Sequence, residues 1–389
     1  MMTVGVVGAG AMGSGIAQVA LKHGHAVVLA DVEKAAAQRA REHIEGALAR
    51  EVEKGRLTSE AATSARERLR LTSLPMGLGD FGGCDIVIEA IVEGLDAKQS
   101  LFQALEGVVS HECLLATNTS SLSVTSIASA CQEPGRVVGM HFFNPAPVMP
   151  LVEVIPGAQT SNETLRATRA IADGWGKVTV LAADSPGFIV NRVARPFYGE
   201  SLRMLEEGIA DAPTIDWALR ELAGFRMGPF QLMDFIGNDV NYAVTESVWR
   251  GTYFDARYKP SITQRRLVEA GWLGRKTGRG FYDYAEDAPR RAPTEDRASG
   301  ERIVLRVLAM LVNEAVDVVH WRIAAPADVD LAMTRGVNYP RGPLAWGNEL
   351  GFDRVLAEIE RLRVETGEER YRPSPLLRRM TQEGRRFFE

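Results

Sequence analysis

The sequence predicts an α/β domain with a mainly parallel, doubly wound sheet, followed by two all-α helical repeats. Three observations predict it. Through the first half of the 389 residues, apolar runs of four to six residues alternate with helix-period segments. After Asp184-Ser-Pro-Gly187 the pattern turns to helices only, apart from short connections. The helical half also repeats itself. Adding 114 to Glu200, Asp216, Ala218, Gly228, Pro229, Gly237 and Asp239 gives Glu314, Asp330, Ala332, Gly342, Pro343, Gly351 and Asp353. A helical repeat that leaves an apolar face open needs a partner, and a duplicate supplies one within the chain.

In chain order, a short buried strand at 3–7 leads into a glycine-rich turn and a helix from about 11 to 22. Residues 1–21 carry no charge, yet they lack the basic start of a signal peptide, and five glycines make a poor spanning helix. No later stretch is apolar enough to cross a bilayer, so the sequence reads as soluble, with no membrane partner. Further strands are expected at 26–30, 85–89, 114–117 and 137–140, with helical segments 32–54, 59–71 and 95–109 between them. The stretches 137–143 and 151–155 flank a proline-rich turn, 144–150, and are expected to return antiparallel. Ser185-Pro186-Gly187 reads as a hinge. The expected organisation is therefore a first domain over 1–184, a first helical repeat over 185–284, a linker over 285–300 and a second, degenerate repeat over 301–389. Trp217, Trp249, Trp272, Trp321 and Trp346 are expected to pack the helical cores.

Composition removes several classes of function. With 50 acidic and 45 basic residues the net charge is −5, so no basic field points to nucleic acid. Cys84, Cys113 and Cys131 form no CxxC pair and no even framework, which suits a reducing cytoplasm. The six histidines are scattered apart from His23 and His25, so no metal site is expected.

Gly8-Ala-Gly10-Ala-Met-Gly13 is a GxGxxG sequence. It directly follows a strand and opens a helix, and Asp31 ends the next strand 18 residues after Gly13. That context makes the first domain a Rossmann-type dinucleotide-binding fold. Gly8 permits the tight turn, Gly10 lets the backbone approach a pyrophosphate, and Gly13 allows close helix–strand packing. Ala11 and Met12 start the helix whose free N–H groups would receive the diphosphate. Asp31 accepts from ribose hydroxyls and repels a 2′-phosphate, so NAD is favoured over NADP.

A hydride transfer between an alcohol and NAD needs a base for the hydroxyl proton, and histidine is the usual choice. His141 ends one strand of the antiparallel pair. If the turn is centred near Pro147, position 141 lies opposite Glu153, since both are six residues away. A glutamate facing the imidazole fixes its tautomer and raises its basicity. Ser120, in Asn118-Thr-Ser-Ser-Leu122, follows a strand end, where sheet-top loops meet ligands.

Taken with Glu89-Ala-Ile-Val-Glu93 and Lys98, His141-Phe-Phe-Asn-Pro145, Leu151-Val-Glu-Val154, Pro186-Gly-Phe-Ile-Val-Asn-Arg192 and Gly274-Arg-Lys-Thr-Gly-Arg-Gly-Phe-Tyr282, these segments resemble the L-3-hydroxyacyl-CoA dehydrogenases over residues 3–284. The duplicated helical half resembles bacterial members assigned to 3-hydroxybutyryl-CoA or 3-hydroxyadipyl-CoA oxidation, which are commonly longer between the repeats. The resemblance implies His141 as catalytic base and Glu153 as its orienting partner. It implies Ser120 and Asn191 as groups that hydrogen-bond the reacting oxygen and the thioester or histidine surroundings. Glu93, Lys98, Ser120, Asn144 and Lys276 match NAD contacts on the nicotinamide and ribose side. On the CoA side Lys54 falls on a basic position of the family, while the matching serine is replaced by Ala47. The helical repeat is expected to close over the cofactor domain, with the acyl chain in the cleft. The active-site asparagine has no counterpart in the second repeat, where position 305 is leucine. The copy is thus expected to cover the face that single-repeat relatives bury by dimerising, which makes the chain a monomeric pseudo-dimer, with a homodimer as the alternative. Three rival readings stand beside this one: another two-domain NAD-dependent hydroxyacid dehydrogenase of the 6-phosphogluconate or 3-hydroxyisobutyrate type, a non-enzymatic lambda-crystallin-like protein, and a CoA- or NAD-binding sensor that binds without turnover.

Overall fold

The computed structural model describes residues 1–289 and 291–388. Arg290, within the expected linker, and Glu389, at the end of the expected second repeat, lie outside the described residues. The chain forms two compact units, Met1–Ser185 and Pro186–Glu389.

The first unit runs β1 (Thr3–Val7), α1 (Ala11–Lys22), β2 (Ala26–Asp31), α2 (Lys34–Glu53), α3 (Ser59–Glu67), β3 (Leu69–Ser73), β4 (Ile86–Glu89) and α4 (Leu95–Glu106). It continues with β5 (Leu114–Thr117), α5 (Val124–Ala128), β6 (Val137–Phe142), β7 (Leu151–Pro156), α6 (Asn162–Gly174) and β8 (Val178–Leu181). The sheet order is β3-β2-β1-β4-β5-β6-β7-β8, parallel except for the β6–β7 pair. Side-chain alternation along each strand feeds two cores. Val4, Val6, Val27 and Leu29 pack under α1 and α2 with Ile16 and Ile44, whereas Val7, Val28 and Val87 pack with Phe102 and Leu105 of α4. β1 lies between β2 and β4, so the chain leaves it in both directions, and the crevice at the carboxyl ends of those strands is where such sheets receive ligands.

Two strands depart from the sequence expectation. The segment expected as helix over 59–71 ends its helix at Glu67, and Leu69–Ser73 pairs parallel with β2. The helical spacing there is real but stops one turn early, because buried Leu69 joins the core beneath α3. β8 was not foreseen either. It begins just after Gly176, whose φ of +67° turns the chain out of α6 and back along β7.

The second unit comprises α7 (Val190–Val193), α8 (Arg195–Glu206), α9 (Ala212–Trp217), α10 (Pro229–Ile236), α11 (Asn238–Gly251) and α12 (Ile262–Glu269). After the connection come α13 (Arg297–His320), α14 (Pro326–Gly336), α15 (Pro343–Leu350), α16 (Phe352–Thr366) and α17 (Pro375–Glu383). Asp296 caps α13 through the Ser299 N–H, so that helix starts inside the segment expected as linker. From Val307 to Val318 every residue of α13 is buried, the mark of a central helix, and α8, α15, α16 and α17 pack around it. The tryptophans divide. Trp346 is buried among Phe225 and Tyr339, Trp217 and Trp249 are half-buried, and Trp272 and Trp321 are exposed, correcting the expectation that all five fill cores. Trp321 follows the last turn of α13, and Trp272 instead lies under the Arg279 guanidinium, 3.8 Å from its ring centroid.

The offset of 114 is visible as chemistry. Asp216 accepts the N–H groups of Phe230 and Gln231 at 2.9 and 3.0 Å, and Asp330 accepts those of Leu344 and Ala345 at 2.8 and 2.9 Å. Each carboxylate thereby holds the start of a helix that opens with Gly-Pro. A Cβ on Gly228 or Gly342 would lie 2.3 or 2.0 Å from the carboxyl carbon, so neither glycine can be replaced without moving the anchor. Burial raises both carboxyls, Asp216 to about 6.

Between the copies the ion pairs are exchanged. Glu314 accepts from Arg192, Arg257 and Tyr258 of the first copy, and Glu200 accepts from Arg306 and Tyr371 of the second, with Arg370 3.9 Å away. Arg192 and Arg306 are themselves 114 apart, so this is the reciprocal pattern of a two-fold interface within one chain. Glu314 is fully buried, and removing it takes from Arg192 its buried carboxylate and leaves Arg257 with Asp317 alone. Glu314→Ala is expected to cost about 3–5 kcal/mol, measured as a shift in urea unfolding of the helical unit. A loss below about 1 kcal/mol would mean the pairs are individually dispensable.

Candidate active site

At the sheet's carboxyl edge the glycine loop joins β1 to α1. Gly8 has φ +102°, and a Cβ there would lie 2.4 Å from the Ala90 carbonyl oxygen. A Cβ on Gly13 would come within 1.7 Å of the Gly8 carbonyl oxygen, whereas nothing lies within 4 Å of one on Gly10. The loop is thus packed on two sides and open on the third. No side chain caps α1 and no acid stands in its first turn, so the N–H groups at its start, including those of Ala11 and Met12, face no competing protein carboxylate. Asp31 ends β2 and braces the loop: Oδ2 accepts the Ala9 N–H at 2.7 Å and Oδ1 that of Glu33 at 3.0 Å. Exposed Val32 and Val92 follow β2 and β4 beside it and offer apolar surface for a flat ring. A dinucleotide lacking a 2′-phosphate fits this set of groups.

One strand further along, Glu89 is completely buried. It accepts from Lys98 Nζ at 2.5 Å, the Ile91 N–H at 2.7 Å and the Thr117 hydroxyl at 2.6 Å. Lys98, 1% exposed, also lies 3.3 Å from Glu93. Glu93 in turn gathers the loop after β5, accepting from the Thr119 hydroxyl and the N–H groups of Ser120 and Ser121 at 2.6, 2.9 and 3.1 Å. Burial opposes its charge, but the Lys98 ammonium and these donors hold the carboxyl below its ordinary range. Ser120, Glu93 and Lys98 are therefore one hydrogen-bonded group.

β6 and β7 pair with His141 opposite Glu153. Nδ1 stands 2.7 Å from Glu153 Oε2, and the two residues are 6% and 0% exposed. With Nδ1–H donating to the carboxylate, Nε2 is the proton-accepting nitrogen. Asn118 ties the Ser120 loop to the same strand by accepting the Phe142 N–H at 2.8 Å. Asn144 is exposed in the following turn. That turn is pinned from two sides: Gly15 of α1 abuts Ala146 and Pro147, and Lys177 Nζ donates to the carbonyls of Ala146 and Met149 at 2.5 and 2.8 Å.

Lys54 is exposed just past α2, whereas Ala47, where the resemblance expects serine, is buried. In the second unit Asn191 lies in α7, its carbonyl accepting from Arg195 Nε at 2.8 Å. Lys276 is held by both oxygens of Asp239 at 2.7 Å. Its segment is fastened by buried Asp234, which accepts the N–H groups of Phe281 and Tyr282 and the Tyr284 hydroxyl.

Sequence reasoning missed the supports: Asn118, Lys177, Asp234 and Asp184, whose carboxylate accepts from Ser123, Val124 and Thr125 at the start of α5. Only Asp234 had a local signal, because Gly274 and Gly280 are the glycines that its carboxyl-bearing residue crowds. Among the described residues no cluster of three His, Cys, Asp or Glu could hold a metal ion, and no helix is long and apolar enough to cross a membrane.

Comparison with known proteins gives the class. Residues 3–185 match the NAD binding domain of 3-hydroxyacyl-CoA dehydrogenase, and residues 187–284 and 303–386 each match its C-terminal domain. The chain belongs to the 3-hydroxyacyl-CoA dehydrogenase family. It is 38% identical to a 3-hydroxyadipyl-CoA dehydrogenase of Escherichia coli K12 over 97% of both chains. It is 43% identical to a probable 3-hydroxybutyryl-CoA dehydrogenase of Bacillus subtilis, over 72% of this chain and 96% of the relative. A crystal structure of E. coli K12 3-hydroxybutyryl-CoA dehydrogenase superposes with a TM-score of 0.91 at 37% identity, covering 98% of both chains. The protein is an oxidoreductase that uses NAD to oxidise 3-hydroxyacyl-CoA.

Two outcomes follow from this geometry. Gly13→Ala is expected to abolish NADH binding, read by fluorescence titration, while leaving the helical unit folded; retained binding would show that the loop can shift. Burial without a carboxylate partner lowers Lys177 to about 8, far below the roughly 10.4 of an exposed lysine. The unfolded chain then binds more protons between these values, so stability rises with pH across that window. Lysine-selective carbon NMR should find one residue titrating near pH 8, absent in Lys177→Met.

Proposed function

We propose that His141 is the base of the reaction, and that the substrates are L-3-hydroxyacyl thioesters of CoA with short or dicarboxylic acyl groups. The observation that carries the assignment is the buried 2.7 Å contact between His141 Nδ1 and Glu153 at the cofactor edge of the sheet. As the substrate hydroxyl loses its proton to Nε2, Glu153 stabilises the imidazolium, and its own burial keeps that interaction strong. NAD supplies the acceptor for the hydride from C3. The glycine loop with Ala11 and Met12 would hold its diphosphate, Asp31 a ribose, and Glu93, Ser120 and Asn144 its nicotinamide side, with Lys276 contributing from the second unit. Lys98, enclosed by two carboxylates, acts through Glu93. Ser120 and Asn191 are the groups proposed to hydrogen-bond the substrate oxygens, and Lys54 to meet the CoA phosphates.

The second helical copy takes the place of a partner subunit, so the working species is the monomer. The reciprocal Glu200 and Glu314 exchange supports this, as does the 96% coverage of a relative that matches only 72% of this chain. A cytoplasmic location agrees with three buried, free thiols, all raised by burial.

The test is NADH oxidation with acetoacetyl-CoA, run beside His141→Ala. Loss of about 10²–10⁴-fold in turnover with NADH affinity kept is the expected result; near-normal turnover removes His141 from the role. Light scattering of the same sample should give 42.5 kDa, and a tight dimer would overturn the pseudo-dimer reading.

A further inference from the structure

Among the described residues five arginines are buried: Arg136, Arg195, Arg257, Arg306 and Arg370. Four of them stand within 4.0 Å of a carboxylate. Arg195 does not. Its Nε donates to the Asn191 carbonyl at 2.8 Å, and its Nη1 to the Thr245 hydroxyl at 2.9 Å and the Asn241 carbonyl at 3.4 Å. The guanidinium carbon lies 5.0 Å from the Tyr198 ring centroid. All of these partners are neutral, and Nη2 makes no hydrogen bond among the described residues. A charge taken out of water in this way is costly unless an opposite charge meets it.

Two further observations turn this imbalance into a site. The groups that act electrostatically on Arg195 are two phenols, Tyr198 and Tyr339, and the buried Tyr339 hydroxyl has no hydrogen-bond partner. The Tyr339 ring packs on Phe197, two residues beyond Arg195, and supplies no negative charge to the guanidinium. The internal repeat supplies the second observation. The second copy keeps Arg306 as counterpart of Arg192, which serves the interface between copies, but has Ala309 in place of Arg195 and Leu305 in place of Asn191. Arg195 is thus lost together with the asparagine proposed for the substrate and not with the residues that hold the copies together.

We propose that Arg195 reads a carboxylate at the far end of the acyl group, so that the enzyme selects dicarboxylic over monocarboxylic acyl thioesters. This rests on the proposed placement of Asn191 at the reacting end of the substrate; Arg195 follows it by four residues and bonds its carbonyl. A bidentate guanidinium–carboxylate pair would use the unengaged Nη2. A monocarboxylic chain of the same length would leave the guanidinium buried and unmatched.

The test compares adipyl-CoA with hexanoyl-CoA, which differ in the terminal carboxylate and carry no 3-hydroxyl to react. Dissociation constants are measured by calorimetry for the wild-type chain, Arg195→Met, Arg195→Lys and Tyr339→Phe. The wild type is expected to bind adipyl-CoA at least about tenfold more tightly. Arg195→Met should bring the two constants together by weakening adipyl-CoA alone, Arg195→Lys should restore part of the difference, and Tyr339→Phe should leave the preference in place. A wild type with no preference, or Arg195 variants that weaken both thioesters equally, would overturn the assignment. Should the wild type reduce no 3-oxoacyl thioester, the proposed reaction fails, while these constants still decide the role of Arg195.

Discussion

Carboxylates that accept main-chain N–H groups from a neighbouring loop hold this structure in its working shape. Asp31 steadies the glycine loop, Glu93 the Ser120 loop, Asp184 the start of α5, and Asp234 the segment that carries Lys276. Asp216 and Asp330 do the same for the two Gly-Pro helix starts. Each loop is short and rich in glycine, serine or asparagine, so it has little apolar surface with which to anchor itself. Each such carboxylate supplies two or three directed bonds at once and fixes the loop to a neighbouring strand or helix. The side chains proposed for chemistry then project from backbone already held in place.

The parts of the fold written in local pattern were legible in the sequence. The β1–glycine–α1 unit emerges with the bounds that periodicity gave it, and the turn centred near Pro147 places position 141 opposite 153 because antiparallel register is simple arithmetic. β3 and β8 were not legible for physical reasons. Leu69–Ser73 alternates leucine with arginine and threonine directly after a helix, and Val178–Leu181 is only four residues at the sheet edge. Either could continue a helix or a loop until its neighbour strand supplies hydrogen-bond partners.

Within the candidate site, contacts that follow from strand register were legible and the supporting contacts between distant segments were not. His141 and Glu153 meet through the antiparallel register of β6 and β7, and Asp31 closes β2 beside the glycine loop. Lys177, Asn118 and Asp184 are ordinary surface types whose partners lie 24 to 61 residues away, and no spacing rule connects them. The same holds for Arg192 and Glu314, 122 residues apart, although the repeat offset that relates Arg192 to Arg306 was available. Identical residues at a fixed offset reveal a duplication; which of them face each other emerges only when the copies pack.

The packing of the two copies in one chain changes the statistics of assembly. An interface between separate subunits is governed by mass action and loosens on dilution. Here the connection from Tyr284 to Arg297 keeps the copies at an effective concentration set by the tether, so Glu200 and Glu314 meet their arginines however few molecules are present. The second copy carries leucine and alanine where the first carries Asn191 and Arg195, so the two halves of the pseudo-symmetric unit differ in chemistry while sharing one tethered interface.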